Sequence, residues 1–493
     1  MKYVSTRSGA EATSAETVFR GLAPDGGLYV PVLGNGERGT YPPSEASRRR
    51  RCPSRGGNGE LETGNGEPWL LADAERLVLS RLYDDIPEGV REEAVKRLLS
   101  RFPEKDPIPL VDVDGLEMLE LFHGKTGAFK DVALSMLPVF MRHAAGGRRV
   151  LVLTATSGDT GSAAMQGFAG VEGTEIVVFY PATGTSKIQR LQMTTPADAN
   201  VHAVGIRGNF DDAQAAVKRI FADPGINAEA ASHGITLSSA NSINTGRLVP
   251  QIGYYVLACE KERMRCGTPY LRTNPIDVVV PSGNFGNILA AYYAKLMGEP
   301  IRRLVVASNV NDVLARFVKT GVYDPGEKFT VTNSPSMDIR KSSNVERLLW
   351  ILNDGDAKEV SRLMDDLSKK GRYELNDAAK KRLFADFDGG VATPEETEAE
   401  MRRLYAQYRY MVDPHTAVAT FVAKSLGYPK GRGPCIVAAT ATPYKFPETC
   451  MRAFGRDVLD EPPPGFAELE SLPVVQTKVC DVDKIDDAVR DLF

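Results

Sequence analysis

The chain has 493 residues, 42% hydrophobic and 25% charged, and a formal net charge of −4. That length exceeds one ordinary core, so two or three domains are expected, and the balance is that of a globular chain rather than a disordered one. The small negative charge gives no footing for a protein built around nucleic acid or an anionic membrane, and no stretch nears the roughly 18 apolar residues of a membrane span.

The opening MKYVSTRSGAEATSAETVF lacks the charged-then-apolar layout of a secretory signal. The six cysteines, Cys52, Cys259, Cys266, Cys435, Cys450 and Cys480, are scattered without a CxxC pair. Reduced thiols, a cytoplasmic location and no metal site are the expectation. From Gly34 to about Pro68 the chain is crowded with Gly, Pro, Ser and Arg and nearly free of aliphatic residues. Such a segment buries too little apolar surface to offset its ordering entropy, so 34–68 is read as a flexible insertion and its Arg48–Arg51 run as a solvated basic loop. After Trp69, LLADAERLVLSRLYDDIPEGVREEAVKRLLSRF is charged and helical in period.

A different rhythm follows, in which apolar β-rich runs lead into Gly/Ser-rich turns and then helices. Val150–Leu153 runs into TATSGDTG and SAAMQGFAG, and Ile276–Val280 into PSGNFGN and ILAAYYAKLMG. Ile176–Tyr180, Leu304–Ala307 and Ile436–Ala439 are further buried strands by the same criterion. This alternation predicts mostly parallel α/β sheets with helices on both faces and ligands at the carboxyl ends of the strands, where both turns fall.

Three segments carry chemistry. In PSGNFGN, two glycines allow a tight turn with inward N–H groups, and the following helix adds a positive N-terminus; the turn reads either as an anion site or as plain structure. Its glycines, Gly283 and Gly286, do not match the dinucleotide GxGxxG spacing. Gly124-Lys125-Thr126 fails as a P-loop, because the required earlier glycine position is Leu119. In TSGDTG, hydroxyls and helix-start N–H groups suit a carboxylate or phosphate, with ordinary helix capping by Ser157 or Asp159 as the competing reading. Lys130, in GAFKD ahead of DVALSMLPVFM, is in isolation a surface charge. Its place at a helix start among apolar residues favours the neutral amine, the form that Schiff-base chemistry requires.

Taken together, FHGKTGAFKD, TSGDTG, PSGNFGNILAAYYAKLMG, SPSMDIRKSSNVER, DPHTAVA and TATPYKFPE resemble, in order, the motifs of the threonine synthase family, as does the opening YVSTRSGAEATSAETVFRGLAPDGGLYVP. The resemblance runs from the first residues to about Glu448. It implies an α/β protein of pyridoxal-phosphate (PLP) fold type II, with two interleaved α/β domains and mostly parallel sheets plus an N-terminal helical region. On that footing 1–105 form the N-terminal region, and 106–493 a catalytic region of two subdomains with the active site between them.

The resemblance also implies roles. Lys130 matches the lysine that holds PLP as a Schiff base. Gly283, Asn284, Phe285, Gly286 and Asn287 match the loop holding the cofactor phosphate. Thr440 matches the hydroxyl that faces the pyridine nitrogen; a neutral group there does not enforce ring protonation, in keeping with elimination and replacement chemistry. Ser157, Asp159 and Thr160 match the loop near the substrate carboxylate and the cofactor ring. Asn241, Ser242 and Arg247 resemble the patch that receives the substrate phosphate, a task suited to a bidentate arginine.

Two departures stand out. Many members have GPT at 124–126, so Lys125 brings an extra positive charge near the substrate, and many have STAHP where this chain has Ala439 and Thr442. Many relatives on the fold carry Asn where Asp159 stands. His415 reads as a structural hydrogen-bonding residue rather than a ligand. The implied activity is conversion of O-phospho-L-homoserine and water to L-threonine and phosphate, by a monomer or homodimer acting on a small molecule. The competing readings are a serine/threonine dehydratase-type PLP lyase and a non-catalytic PLP-binding relative.

Overall fold

Runs such as RVLVLTA and IDVVVP, apolar on consecutive residues, bury both faces of a strand and so belong inside parallel sheets. That is where the computed structural model places them. It describes residues 1–33, 70–102, 104–326, 328–455, 462–463 and 465–493. The insertion assigned to 34–68, with Arg48–Arg51 and Cys52, lies outside the described residues.

A small antiparallel sheet of strands β1 (Tyr3–Ser5), β2 (Glu11–Ala12) and β3 (Tyr29–Pro31) opens the chain. The charged stretch after Trp69 forms two helices, Leu71–Leu82 and Glu88–Leu99. The hairpin β4 (Leu110–Val113) and β5 (Leu116–Glu120) then begins the larger sheet. Four strands of the second sheet come next: β6 (Arg149–Ala155), β7 (Thr174–Pro181), β8 (Val201–Arg207) and β9 (Ile235–Ser239). The chain returns to the first sheet with β10 (Ile276–Pro281) and β11 (Ile301–Ser308), adds the small pair β12 (Val322–Tyr323) and β13 (Tyr373–Glu374), and completes that sheet with β14 (Phe387–Val391) and β15 (Cys435–Ala439). Finally β16 (Val479–Asp481) crosses back to pair with β8.

The larger sheet has the order β14-β11-β10-β15-β5-β4 and is parallel except for the β4–β5 hairpin. The other has the order β16-β8-β7-β6-β9 and is parallel throughout. Because the chain leaves the first sheet for the second and returns, the two α/β units are interleaved, as expected. All five strands read from the sequence are present, each a residue or more longer than its apolar run.

The 22-residue helix Thr245–Cys266 is buried over most of its length and packed on the helices Leu71–Leu82, Lys130–Ala145 and Gly286–Leu296. The helix Lys130–Ala145 meets the helix Asp159–Phe168 at Gly167, where any side chain would collide with the carbonyl of Leu134. That close approach holds Lys130 and Asp159, each the first residue of its helix, side by side.

One core residue works against the fold. Glu75, on the first of the charged helices, is fully buried against Gly253 of the long helix, and neither carboxyl oxygen has a hydrogen-bond partner. Burial pushes its pKa well above the ordinary value. A carboxyl raised in the folded state contributes its full stability below the unfolded pKa, near 4.3, and loses it as pH rises toward the folded value, at about 1.4 kcal/mol per unit. Glu75→Gln is therefore expected to raise the melting temperature at pH 8 while changing it little at pH 4.5. An equal shift at both pH values would contradict the account.

Candidate active site

The carboxyl ends of β6 and β10 face a common cavity of about 520 Å³. Every residue assigned to the site from the sequence lines it: Lys130, Ser157, Asp159, Thr160, Asn241, Ser242, Arg247, Gly283, Asn284, Phe285, Gly286, Asn287 and Thr440. Phe329, Ser336, Asp338 and His415 complete the wall.

Lys130 reaches the cavity because the segment before its helix is clipped to the loop after β15. The Phe129 N–H donates to the Thr440 carbonyl at 2.9 Å, and the Thr442 N–H to the Gly127 carbonyl at 3.0 Å. Asp131, next in the chain, turns away and accepts from the Thr126 backbone N–H at 2.8 Å and its hydroxyl at 2.6 Å, folding the GKT turn. The Lys130 side chain is 12% exposed, and its Nζ donates to Asp159 Oδ2 at 2.9 Å. Burial lowers the pKa of the amine, and the Asp159 carboxylate opposes that shift without cancelling it.

The helix after TSGDTG is capped by Thr156, not by Ser157 or Asp159. The hydroxyl of Thr156 accepts from Gly158 N–H and Gly161 N–H at 2.9 Å each, and the cap residue, Gly158, contributes no side chain. Ser157 and Asp159 are thereby left for the cavity. Burial alone would raise the Asp159 pKa, but Lys130 and then Lys445 outweigh it and hold the carboxylate well below its ordinary range.

The second turn is built as an anion cradle. Phe285 caps the helix Gly286–Leu296 in the left-handed conformation, with φ +63°, so the helix-start N–H groups are free of side-chain caps. Gly283 packs against the backbone of Ser336, 2.6 Å from where a Cβ would lie. Asn287 Oδ1 accepts from the hydroxyls of Tyr254 and Tyr255 at 2.9 and 2.5 Å, which leaves its Nδ2 a buried donor with no protein partner.

A separate positive site lies at the start of the long helix. Arg247 is 2% exposed, donates through Nη1 to the Ala240 carbonyl at 2.7 Å, and leaves Nε without a partner. Burial pushes its pKa down to about 10, and it forms no salt bridge to a described carboxylate. A buried guanidinium in the first turn of a helix is poorly placed unless an anion joins it. Asn241 and Ser242 stand beside it on the cavity wall.

His415 is a strut. The Ser336 N–H donates to its Nε2 at 3.1 Å, so Nδ1 carries the proton toward Asp413 Oδ1 at 2.7 Å. Lys125 is corrected: it is exposed, lies near Arg101 and Arg97, and does not line the cavity. The sequence reading missed the buried Lys445, Gln189 and Ser336 around Asp159, and the two tyrosines behind Asn287. Lys445 stood within the motif TATPYKFPE, where a lysine between Tyr and Phe was the available signal.

A reactive buried lysine, a phosphate-sized cradle with a free donor, and a hydroxyl at the end of a central strand fit pyridoxal phosphate. Comparison with known proteins agrees: residues 106–439 match the pyridoxal-phosphate dependent enzyme family, which defines the class of the chain. Residues 2–33 match the threonine synthase N terminus and 416–490 the threonine synthase C-terminal region. The chain is 33% identical to threonine synthase of Saccharomyces cerevisiae over 98% of its own length and 95% of the relative's, and 36% identical to that of Pseudomonas aeruginosa over 92% and 90%. The solved PLP-bound threonine synthase from Brucella melitensis superposes with a TM-score of 0.86 at 34% identity, covering 100% of this chain and 99% of that one. The chain belongs to the threonine synthase family.

Proposed function

We propose that the threonine synthase reaction, O-phospho-L-homoserine and water to L-threonine and phosphate, runs in this cavity with Lys130 as anchor of the cofactor and as the acid–base. Bound pyridoxal phosphate supplies an electron sink for charge developing on the substrate carbons. The loop 283–287 holds the cofactor phosphate through helix-start N–H groups and Asn287 Nδ2, and Thr440 offers the ring nitrogen a neutral hydroxyl. Lys130, buried and with a lowered pKa, takes protons from the substrate's α and β carbons as a free amine. Arg247, Asn241 and Ser242 bind the substrate phosphate and draw off its charge as the γ carbon–oxygen bond breaks. Ser157, Asp159 and Thr160 orient the substrate carboxylate and the cofactor ring.

One observation carries this reading: two anion-ready sites, the 283–287 cradle and Arg247, line the same cavity as Lys130. A phosphorylated cofactor needs one and a phosphorylated substrate the other. In the same reading, 1–105 form an N-terminal region on a catalytic region, 106–493, with the site between its two subdomains. The enzyme acts in the cytoplasm as a monomer or homodimer and has no business with nucleic acid. The five described cysteines are free, and no described helix is long and apolar enough to cross a membrane.

The test quantifies phosphate and L-threonine together from O-phospho-L-homoserine, with L-threonine offered alone in parallel. Equal amounts of both products are expected. Phosphate accompanied by 2-oxobutanoate would move the activity to the dehydratase type, and no turnover of either would support a non-catalytic relative.

A further inference from the structure

Asp159 is one carboxylate shared by two lysines. Its Oδ2 meets Lys130 Nζ at 2.9 Å and accepts from the Ser336 hydroxyl at 3.1 Å. Its Oδ1 accepts from Gln189 Nε2 at 2.8 Å and lies 3.3 Å from Nζ of Lys445. Lys445 ends the short turn Pro443–Lys445 after β15, and its side chain is wholly buried. The same ammonium donates to the Thr126 carbonyl at 2.8 Å and to Gln192 Oε1 at 2.9 Å, and faces Asp159 as an ion pair.

Thr126 and Gln192 are neutral acceptors, and an uncharged donor would satisfy them without the desolvation cost of a buried ammonium. Among the described residues, Asp159 is the carboxylate within ion-pair distance of that charge, and Asp131 feels it only through the field. Lys130, the other cation on that carboxylate, cannot hold a constant charge if it anchors a cofactor and carries protons. Each time it becomes neutral, a buried carboxylate with no second cation would gain affinity for a proton and compete with Lys130 for it. Lys445 is wholly buried and does not line the cavity, so it stands behind Asp159 rather than facing the reacting groups.

We propose that Lys445 is a positioning residue of the active site, a fixed counter-charge that keeps Asp159 an acceptor aimed at Lys130 while the charge on Lys130 changes. This deepens the proposed role of Lys130 and rests on it. Other charged groups facing the pair do not substitute for Lys445. His415, on the helix Pro414–Ser425, has both ring nitrogens engaged by Ser336 and Asp413. Arg247, on the long helix, adds a positive field at Lys130 but forms no ion pair with Asp159. Asp131, next to Lys130, is occupied by Thr126.

The test reads the amine of Lys130 directly, without turnover, so its outcome is separable from the identity of the substrate. Full-length protein freed of cofactor is pulsed with acetic anhydride across a pH series, and the labelling rate of Lys130 is followed by mass spectrometry. In Lys445→Gln an amide donor remains and the charge goes, so Asp159 answers to Lys130 alone. The labelling midpoint of Lys130 is expected to rise by about one pH unit, and Lys445→Arg to keep the wild-type midpoint. A Lys445→Gln midpoint equal to wild type would overturn the proposal. If Lys445→Gln alone does not fold, the double variant with Asp159→Asn decides, because it removes both charges of the pair. A folded double variant supports the pairing, whereas failure of both would assign Lys445 to packing alone.

Discussion

Lys130→Ala is expected to lose threonine formation by about 10²–10⁴-fold and, together with it, the visible absorption of cofactor bound to the lysine. The two losses belong together because the proposed roles place both jobs on one Nζ: Lys130 begins the first turn of its helix beside Asp159, in a cavity where burial has already lowered its pKa. Fold and melting temperature should change little, since the side chain faces the cavity and its ion pair among the described residues is to a carboxylate that Lys445 also serves. An added primary amine small enough for the vacated space should return part of the proton transfer without restoring the covalent anchor. A variant that released phosphate at the wild-type rate would remove Lys130 from the mechanism, and one that kept activity while losing the absorption would divide the two roles.

The parts of the fold legible in the sequence were those decided by local pattern. β6, β7, β10, β11 and β15 are strings of Val, Ile, Leu and Ala because both faces of each are covered, and no helix period competes with them. β14 was invisible for the opposite reason. Its sequence, FDGGV, reads as a turn, yet Gly389 is small because Val318 and Ala315 press on the strand, a constraint set by a distant helix. β16, three residues long, exists only because β8 offers it an edge, and nothing within VCD says so.

The site divides along the same line. Lys130, the 283–287 loop and Arg247 each sit in a local motif that resembles the family's, and that resemblance pointed to them. Tyr254 and Tyr255 committing one face of Asn287, and Lys445 pairing with Asp159, are tertiary meetings between distant segments. A lysine's burial is not encoded by its neighbours in the chain. Lys125, which looked placed to add charge to the site, points elsewhere for the same reason.

Arg247→Met is the complementary experiment, in which stability and catalysis should move in opposite directions. The guanidinium is buried with Nε unpartnered and its pKa pushed down to about 10, so the free enzyme bears the cost of a cation that nothing neutralises. Methionine fills similar space without that charge, and the free protein should melt higher. The same substitution removes the group proposed to receive phosphate as charge develops on it, worth about 2–4 kcal/mol, so kcat/KM for O-phospho-L-homoserine should fall about 10²–10³-fold. Inorganic phosphate added to the wild-type protein should raise its melting temperature, and this protection should shrink in the variant, because ligand stabilisation follows occupancy of the folded state. Arg247→Lys should recover little, since a point ammonium on a different stem does not reproduce the planar fork against phosphate oxygens. Cofactor affinity is the control: the 283–287 cradle is a separate structure, so pyridoxal phosphate should bind Arg247→Met as it binds wild type. If cofactor affinity fell as steeply as kcat/KM, Arg247 would belong to the cofactor's anion site, and the division of two phosphates between two sites would be wrong.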